Sequence, residues 1–308
     1  MARETRVAYG EKLAEMVKEN QNIVVLDADL SKSTKSCEAR KVAPERYFNA
    51  GIAESNMMGM AAGLAASGKT VFASTFAVFA SGRPFEIIRN SICYPKLNVK
   101  ICATHAGLSV GEDGASHQAI EDVAIMRALP NMKVFSPCDY NETKAVIEHV
   151  AKIDGPCYVR MGRGKVEDLY ADGTEFDVTK IRVLSEGHDI CLFATGLMVQ
   201  EAMKAKEELL KDNIDVTVVD VTCLKPIDET GVKEIAKRHA LCFALEEHSV
   251  IGGLFSALAD VLIKEPCTRL IPIGVNDIFG ESGKAKDVLE KYGISKDNIV
   301  KTVKEYIK

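Results

Sequence analysis

Short apolar runs rich in β-branched residues recur along this chain, each followed by a stretch of helical period before the next begins. NIVVLDADL (22–30), TVFASTF (70–76), VKICATHAG (99–107), KVFSP (133–137) and CYVRMG (157–162) form one series. DICLFATG (189–196), VTVVDV (216–221), ALCFALEE (240–247) and LIPIGVND (270–277) form another. Residues 5–19 precede the first set, 53–67, 84–94, 118–128 and 139–151 lie between its members, and 198–210, 228–238 and 249–263 lie between those of the second. Strands spaced this far apart by helices cannot close as hairpins; they pair in parallel through crossover helices. The expectation is an α/β protein with helices on both faces of a largely parallel sheet. Residues 166–183 are polar and without sustained period, which makes them a linker. Two consecutive three-layer α/β domains follow, 1–165 and 184–308, a division that suits 308 residues.

Several function classes drop out. Lys and Arg number 39 against 44 Asp and Glu, a net charge of −5, and no basic run exceeds two residues. No nucleic-acid footprint is present. The nine cysteines form no CxxC pair. Cys102 and Cys191 sit inside strand-like runs, as small buried hydrophobes of a reduced, cytoplasmic protein. The N-terminal MARETRVAYG lacks an apolar signal core, and the tract from Met57 to Ala80 is broken by Ser67, Gly68 and Lys69, so no membrane partner is expected. GLAASGKT (63–70) matches the phosphate-loop pattern in letters alone. A phosphate loop needs a strand before it and a helix after it, and the order here is reversed. Gly68 reads instead as a left-handed helix cap, with Lys69 at the negative end of the helix dipole.

Polar groups stand in unexpected places in two segments. Glu54 opens the small-residue helix of NAGIAESNMMGMAAGLA, where the dipole alone would favour it. In ATHAGLSVGEDGASHQAIED, His105 and His117 flank a glycine-rich loop holding Glu112 and Asp113. Imidazoles and carboxylates on a loop after a strand end form a site signature, or else a polar surface loop. His149, His188, His239 and His248 lie in charged surroundings, are expected to be exposed, and take no role.

GIAES with its AAGLA helix, then STFAVF, then THAGLSVGEDGASHQ resembles the pyrimidine-binding domain of the transketolases, thiamine diphosphate enzymes. Thr5-Arg6, ADLSKS (28–33) and DGPCYVRMGR (154–163) fit the same family's order. The second half resembles the family's C-terminal domain, so the resemblance spans nearly the whole chain. It implies that Glu54 is the acid hydrogen-bonded to the cofactor's pyrimidine nitrogen, a group that belongs in a dry pocket. It implies that Phe76 and Phe79 pack around the pyrimidine and that Asp29 lies near the cofactor, while Gly82 stands where the family has a further aromatic. His105, His117 and Asp113 correspond to groups contacting sugar hydroxyls and the donor carbonyl, the two histidines with catalytic roles. Arg6, Ser33 and Arg163 match the phosphate-recognition positions, with Arg160 a neighbour that could replace Arg163.

The resemblance also shows what is missing. A transketolase is about twice this length, and its preceding half carries the GDG…N segment that binds the metal and diphosphate. No GDG occurs here, DG at 113–114, 154–155 and 172–173 stands in other settings, and no metal ligands are assigned. The chain is therefore expected to be the C-terminal subunit of a split transketolase, inactive alone. Its partner is an N-terminal subunit that holds Mg²⁺ or a similar ion and the diphosphate end of a shared thiamine diphosphate. Self-association would give an α2β2 assembly acting on sugar phosphates. The C-terminal domain would serve assembly, with Gly252-Gly253 there for close packing. The alternatives are the β subunit of a 2-oxo acid dehydrogenase, half of a deoxyxylulose-phosphate synthase, or a non-catalytic binding module.

Overall fold

The computed structural model describes residues 1–175 and 177–307. Fourteen strands are β1 Ala2–Glu4, β2 Ile23–Asp27, β3 Tyr47–Asn49, β4 Thr70–Phe76, β5 Val99–Thr104, β6 Lys133–Phe135, β7 Cys157–Arg160, β8 Lys165–Glu167, β9 Arg182–Ser185, β10 Ile190–Ala194, β11 Val216–Asp220, β12 Cys223–Lys225, β13 Leu241–Ser249 and β14 Arg269–Val275. Seven form the first sheet, in the order β12-β6-β7-β5-β4-β2-β3. All its neighbours run parallel except β12, which lies antiparallel to β6. The second sheet has the order β14-β13-β10-β11-β9, parallel but for β9.

The three layers follow from the two-residue period of the strands. In the first sheet Val25, Phe72, Cys102 and Val159 face one layer, with the Thr5–Glu19 and Tyr140–Lys152 helices. Their neighbours Leu26, Val71, Ala73, Ile101 and Tyr158 face the other, against Met57, Met58 and Ala61 of the Glu54–Ala66 helix. The second sheet divides likewise: Leu192, Val218, Phe243 and Ile273 pack one way, and Phe193, Val219 and Ala244 the other. That last face belongs to the same cluster as Met57 and Ile101, so one apolar core runs through both halves.

The α/β class expected from the sequence is the one observed. The polar 166–183 segment carries strand at each end: β8 pairs with the N-terminal β1, and β9 edges the second sheet. Residues 223–225 cross back to edge the first sheet, so the second half lends a strand to the first. Gly68 has φ +90, and its N–H caps the Glu54–Ala66 helix at Ala65 O (3.0 Å) ahead of β4, which disposes of the phosphate-loop reading. All nine cysteines are free thiols, seven of them buried. No helix among the described residues is long and apolar enough to cross a membrane.

Candidate active site

Parallel pairing brings the carboxyl ends of β2, β3, β4, β5 and β7 to one edge, the usual place for a ligand in an open α/β sheet. Each candidate residue leaves from that edge. Phe76 ends β4, and His105 follows β5. Gly51 turns the chain after β3 with φ +74, so that Glu54 becomes the first residue of its helix.

There the side chains meet. The His105 ring stacks on Phe76 with centroids 3.9 Å apart. Phe79 lies 6.1 Å from Phe76 in stacked orientation, and His117 sits edge-on to Phe79 at 5.3 Å. His105 adopts φ +58, an uncommon left-handed conformation for a side chain of this kind, and its Nδ1 bonds Thr104 Oγ1 at 2.9 Å. Burial pushes the His105 imidazole down to about 3, helped by the nearby charges of Arg6, Arg163 and His117. It is a neutral ring at physiological pH. Glu54 is buried, 3% exposed, and its carboxylate is held by Arg83, whose Nη1 lies 2.8 Å from both oxygens. The Arg83 guanidinium rests 4.0 Å over the Phe79 ring. Sequence reasoning missed Arg83, because a cation just past a helix end reads as a solvated partner for the dipole.

The phosphate-recognition candidates also gather at this edge. Arg6 Nη1 donates to the Ser33 carbonyl at 2.9 Å while Nε pairs with Glu4 at 3.0 Å. Arg163 lies 3.7 Å from Asp113 and 3.6 Å from Glu112, and it donates to the Val110 carbonyl. Asp29 is on the same edge but exposed, its Oδ1 accepting from Asn49 Nδ2 at 2.9 Å rather than joining the ring cluster. The buried neighbour Asp27 shapes that loop by accepting from Leu30 N, Thr34 Oγ1 and Ser36 Oγ.

Three expectations need correction. Arg160 cannot stand in for Arg163: it is buried, with Nε on both oxygens of Asp122 (3.1 and 3.0 Å) and Nη2 on the carbonyls of Ala119 and Glu247. His239 and His248 are buried rather than exposed. His248 bonds the Ser249 carbonyl and accepts from Ala124 N, and burial pushes it down to about 4. The charged neighbours that suggested exposure are themselves internal: Glu246 caps the Leu254–Leu262 helix through the N–H groups of Leu254 (2.6 Å) and Phe255 (2.9 Å). The close-packing reading of Gly252-Gly253 holds, since a Cβ on Gly253 would strike Glu246 and one on Gly252 would strike Ala124.

Among the described residues, the second half donates none to the ring cluster, but it holds the loop that carries His117 and Asp113. Glu247 accepts from Ser109 N, Gln118 Nε2 donates to the Glu281 carbonyl at 3.0 Å, and Ser282 Oγ donates to the Glu112 carbonyl. A cavity of about 450 Å³ opens between the halves, lined by Thr5, Ser109, Arg160, Gly196 and Glu247 among others, and none of the ring-cluster residues lines it. Among the described residues, the group able to hold a metal is Cys138, Glu142 and Asp220, buried between the halves and separate from the Glu54 cluster.

Comparison with known proteins matches residues 1–168 to the family model "Transketolase, pyrimidine binding domain" and residues 179–299 to "Transketolase, C-terminal domain". A protein of Methanocaldococcus jannaschii named for a transketolase C-terminal section is 51% identical over 98% of this chain and 96% of its own length. The 6-deoxy-6-sulfo-D-fructose transketolase subunit SqwH of a Clostridium species is 37% identical over 97% of this chain and 93% of its own. Among solved structures, one titled "Split gene transketolase, inactive beta4 tetramer" superposes with a TM-score of 0.91 at 52% identity, covering 98% of this chain and 97% of that one.

Proposed function

The chain belongs to the transketolase family as a C-terminal subunit of the split type, and on that premise we propose that it supplies half of a two-chain active site for ketol transfer. The reaction moves a two-carbon ketol unit from a ketose phosphate to an aldose phosphate. The observation that carries this reading is the meeting of Glu54, Phe76, Phe79, His105 and His117, from four separate segments, at one sheet edge. Two aromatic faces beside a buried acid fit the pyrimidine end of thiamine diphosphate. When bound, that cofactor supplies an acidic carbon and an electron sink.

This chain's residues have distinct tasks. Phe76 and Phe79 orient the planar ring and exclude water. Glu54 holds a proton at a ring nitrogen. His105, neutral and stacked on Phe76, keeps one nitrogen on Thr104 and offers the other to a substrate oxygen. His117 stands across the same rings. Asp113 accepts from a sugar hydroxyl, while Arg6 and Arg163 present guanidinium forks to a phosphate, with Ser33 beside Arg6.

The residues present do not fit the other end of the cofactor. Cys138, Glu142 and Asp220 offer one thiol and two carboxylates in a dry seam, a poor match for Mg²⁺, which prefers six oxygens and keeps several waters. The metal and the diphosphate are therefore assigned to a separate N-terminal subunit, in an α2β2 assembly in the cytoplasm. The split-gene origin of the structural relative and the subunit name of SqwH support a two-chain enzyme.

The test is reconstitution with the N-terminal-type chain of the same source. Ketol transfer that needs both chains, thiamine diphosphate and a divalent ion is the expected result. Activity of this chain alone, or a stable, cofactor-binding complex that turns over no sugar phosphate, would refute the assignment.

A further inference from the structure

Arg83 enters the ring cluster without a task in the mechanism above. Its guanidinium is planar, lies 4.0 Å over the face of Phe79, and directs Nη1 at both oxygens of Glu54, 2.8 Å from each. An aromatic face and an acidic edge are the two features that a flat, protonatable nitrogen heterocycle would use at this place. The cation occupies both at once. The neighbouring residue leaves it room, since a Cβ on Gly82 would meet nothing within 4 Å. The anchoring also suits movement: Ser55 Oγ holds the Arg83 carbonyl at 3.2 Å, while the side chain is 47% exposed and can turn into solvent without disturbing either helix.

We propose that Arg83 is a latch that competes with the cofactor's pyrimidine ring for Phe79 and Glu54, and that loading requires it to swing out. This rests on the ketol-transfer reading, because it takes the same pyrimidine as the competitor. While Arg83 is in place, the buried Glu54 has a cation against it. Once Arg83 leaves, the same carboxyl group would stand in a buried site without a partner, which is strongly disfavoured. The arriving ring nitrogen takes over as its hydrogen-bond partner while Arg83 carries its own charge into water, so the pairing keeps the buried acid satisfied until the ring arrives.

The experiment titrates thiamine diphosphate into the reconstituted two-chain complex by calorimetry near neutral pH. Arg83→Met removes the competitor, so binding should tighten about tenfold, given a latched population about ten times the open one. In a Glu54→Gln background, Arg83→Met should add nothing further. A second measurement needs no cofactor: in the full chain alone, Arg83→Met should lower the melting temperature by leaving the buried Glu54 without its partner, and adding Glu54→Gln should restore it. Unchanged binding by Arg83→Met would overturn the latch, and weaker binding would overturn it and make Arg83 a wall of the ring pocket. A melting temperature indifferent to Arg83 would overturn it too. Failure of the functional reading looks different: every variant, wild type included, would then leave thiamine diphosphate unbound, and the latch would fall with it.

Discussion

Two arginines three positions apart, one ending β7 and the other in the turn after it, have opposite fates, and the difference can be measured. Arg160 is welded to Asp122 inside the protein, and Tyr158 OH donates to the same carboxylate at 2.7 Å. Arg160→Met leaves Asp122 buried with its charge uncompensated, a loss of about 3–5 kcal/mol, to be read as a lower midpoint in urea unfolding. Arg163 faces the exposed Asp113 and Glu112. Arg163→Met should change stability by less than about 1 kcal/mol, because exposed pairs contribute little. In the two-chain complex it should raise KM for phosphorylated sugars about tenfold or more, as expected for a lost charged hydrogen bond, and leave unphosphorylated acceptors unaffected. Equal effects on both acceptors would remove Arg163 from phosphate recognition. The histidines divide in the same way. His105 is neutral down to about 3, so the pH–rate profile above pH 5 should show no ionisation from it, and a limb that vanishes in His105→Asn would contradict its buried, uncharged state.

The segment from Gly107 to Gln118 shows how an element is set by contacts remote in sequence. Gly107 has φ +80, and a Cβ there would collide with the Glu247 carboxylate. Gly107→Ala therefore combines left-handed strain of about 1–2 kcal/mol with displacement of the carboxylate that accepts from Ser109 N. Lower thermal stability with a rise in KM, while thiamine diphosphate binding persists, is the expected pattern; unchanged KM would mean that the second half does not hold the substrate loop. Much at this scale was legible in the sequence. Strand runs such as NIVVLDADL and VKICATHAG end where the carboxyl-edge rule places a ligand, and Glu54 and the two histidines follow those ends. The rest depended on distant partners. The 84–94 stretch reads as one helix but divides into a turn at Phe85–Ile87 and a wider π-turn at Ile88–Cys93. The helix expected over 249–263 begins only at Leu254, because Glu246 supplies its cap from β13. That pairing also explains why the EEH triplet of β13 looked exposed: its carboxylates are satisfied by backbone N–H groups from elsewhere, which local composition cannot reveal.

For the molecule as a whole, the seam between the halves is held by protons as well as by apolar packing. Asp220 from β11 and Glu142 from the Tyr140–Lys152 helix bring carboxylate oxygens within 4.8 Å of one another, with Cys138 Sγ at 3.3 Å and Tyr170 OH at 2.7 Å on the Asp220 carboxylate and Thr222 on Glu142. Burial pushes Asp220 up to about 6, and burial together with the Asp220 charge holds Glu142 well above its ordinary range. An acid whose folded value is raised stabilises the fold below its ordinary value, and that contribution disappears as pH climbs through the folded value. For Asp220 the window runs from about 4 to about 6. Glu246, pushed up to about 7, acts with the same sign, whereas His105 and His248, neutral in the fold, withdraw stability as pH falls below the usual histidine range. Wild-type stability is therefore a dome whose shape identifies no single group, but a difference between two proteins does. Asp220→Asn keeps an oxygen for Tyr170 and an N–H for Glu142, standing in for the protonated acid. Its stability relative to wild type, from urea unfolding across pH, should be level below about 4, rise through about 6 and stay higher beyond, since only the wild type gains a buried charge. A difference that is level throughout would mean that Asp220 carries no titrating proton in the seam.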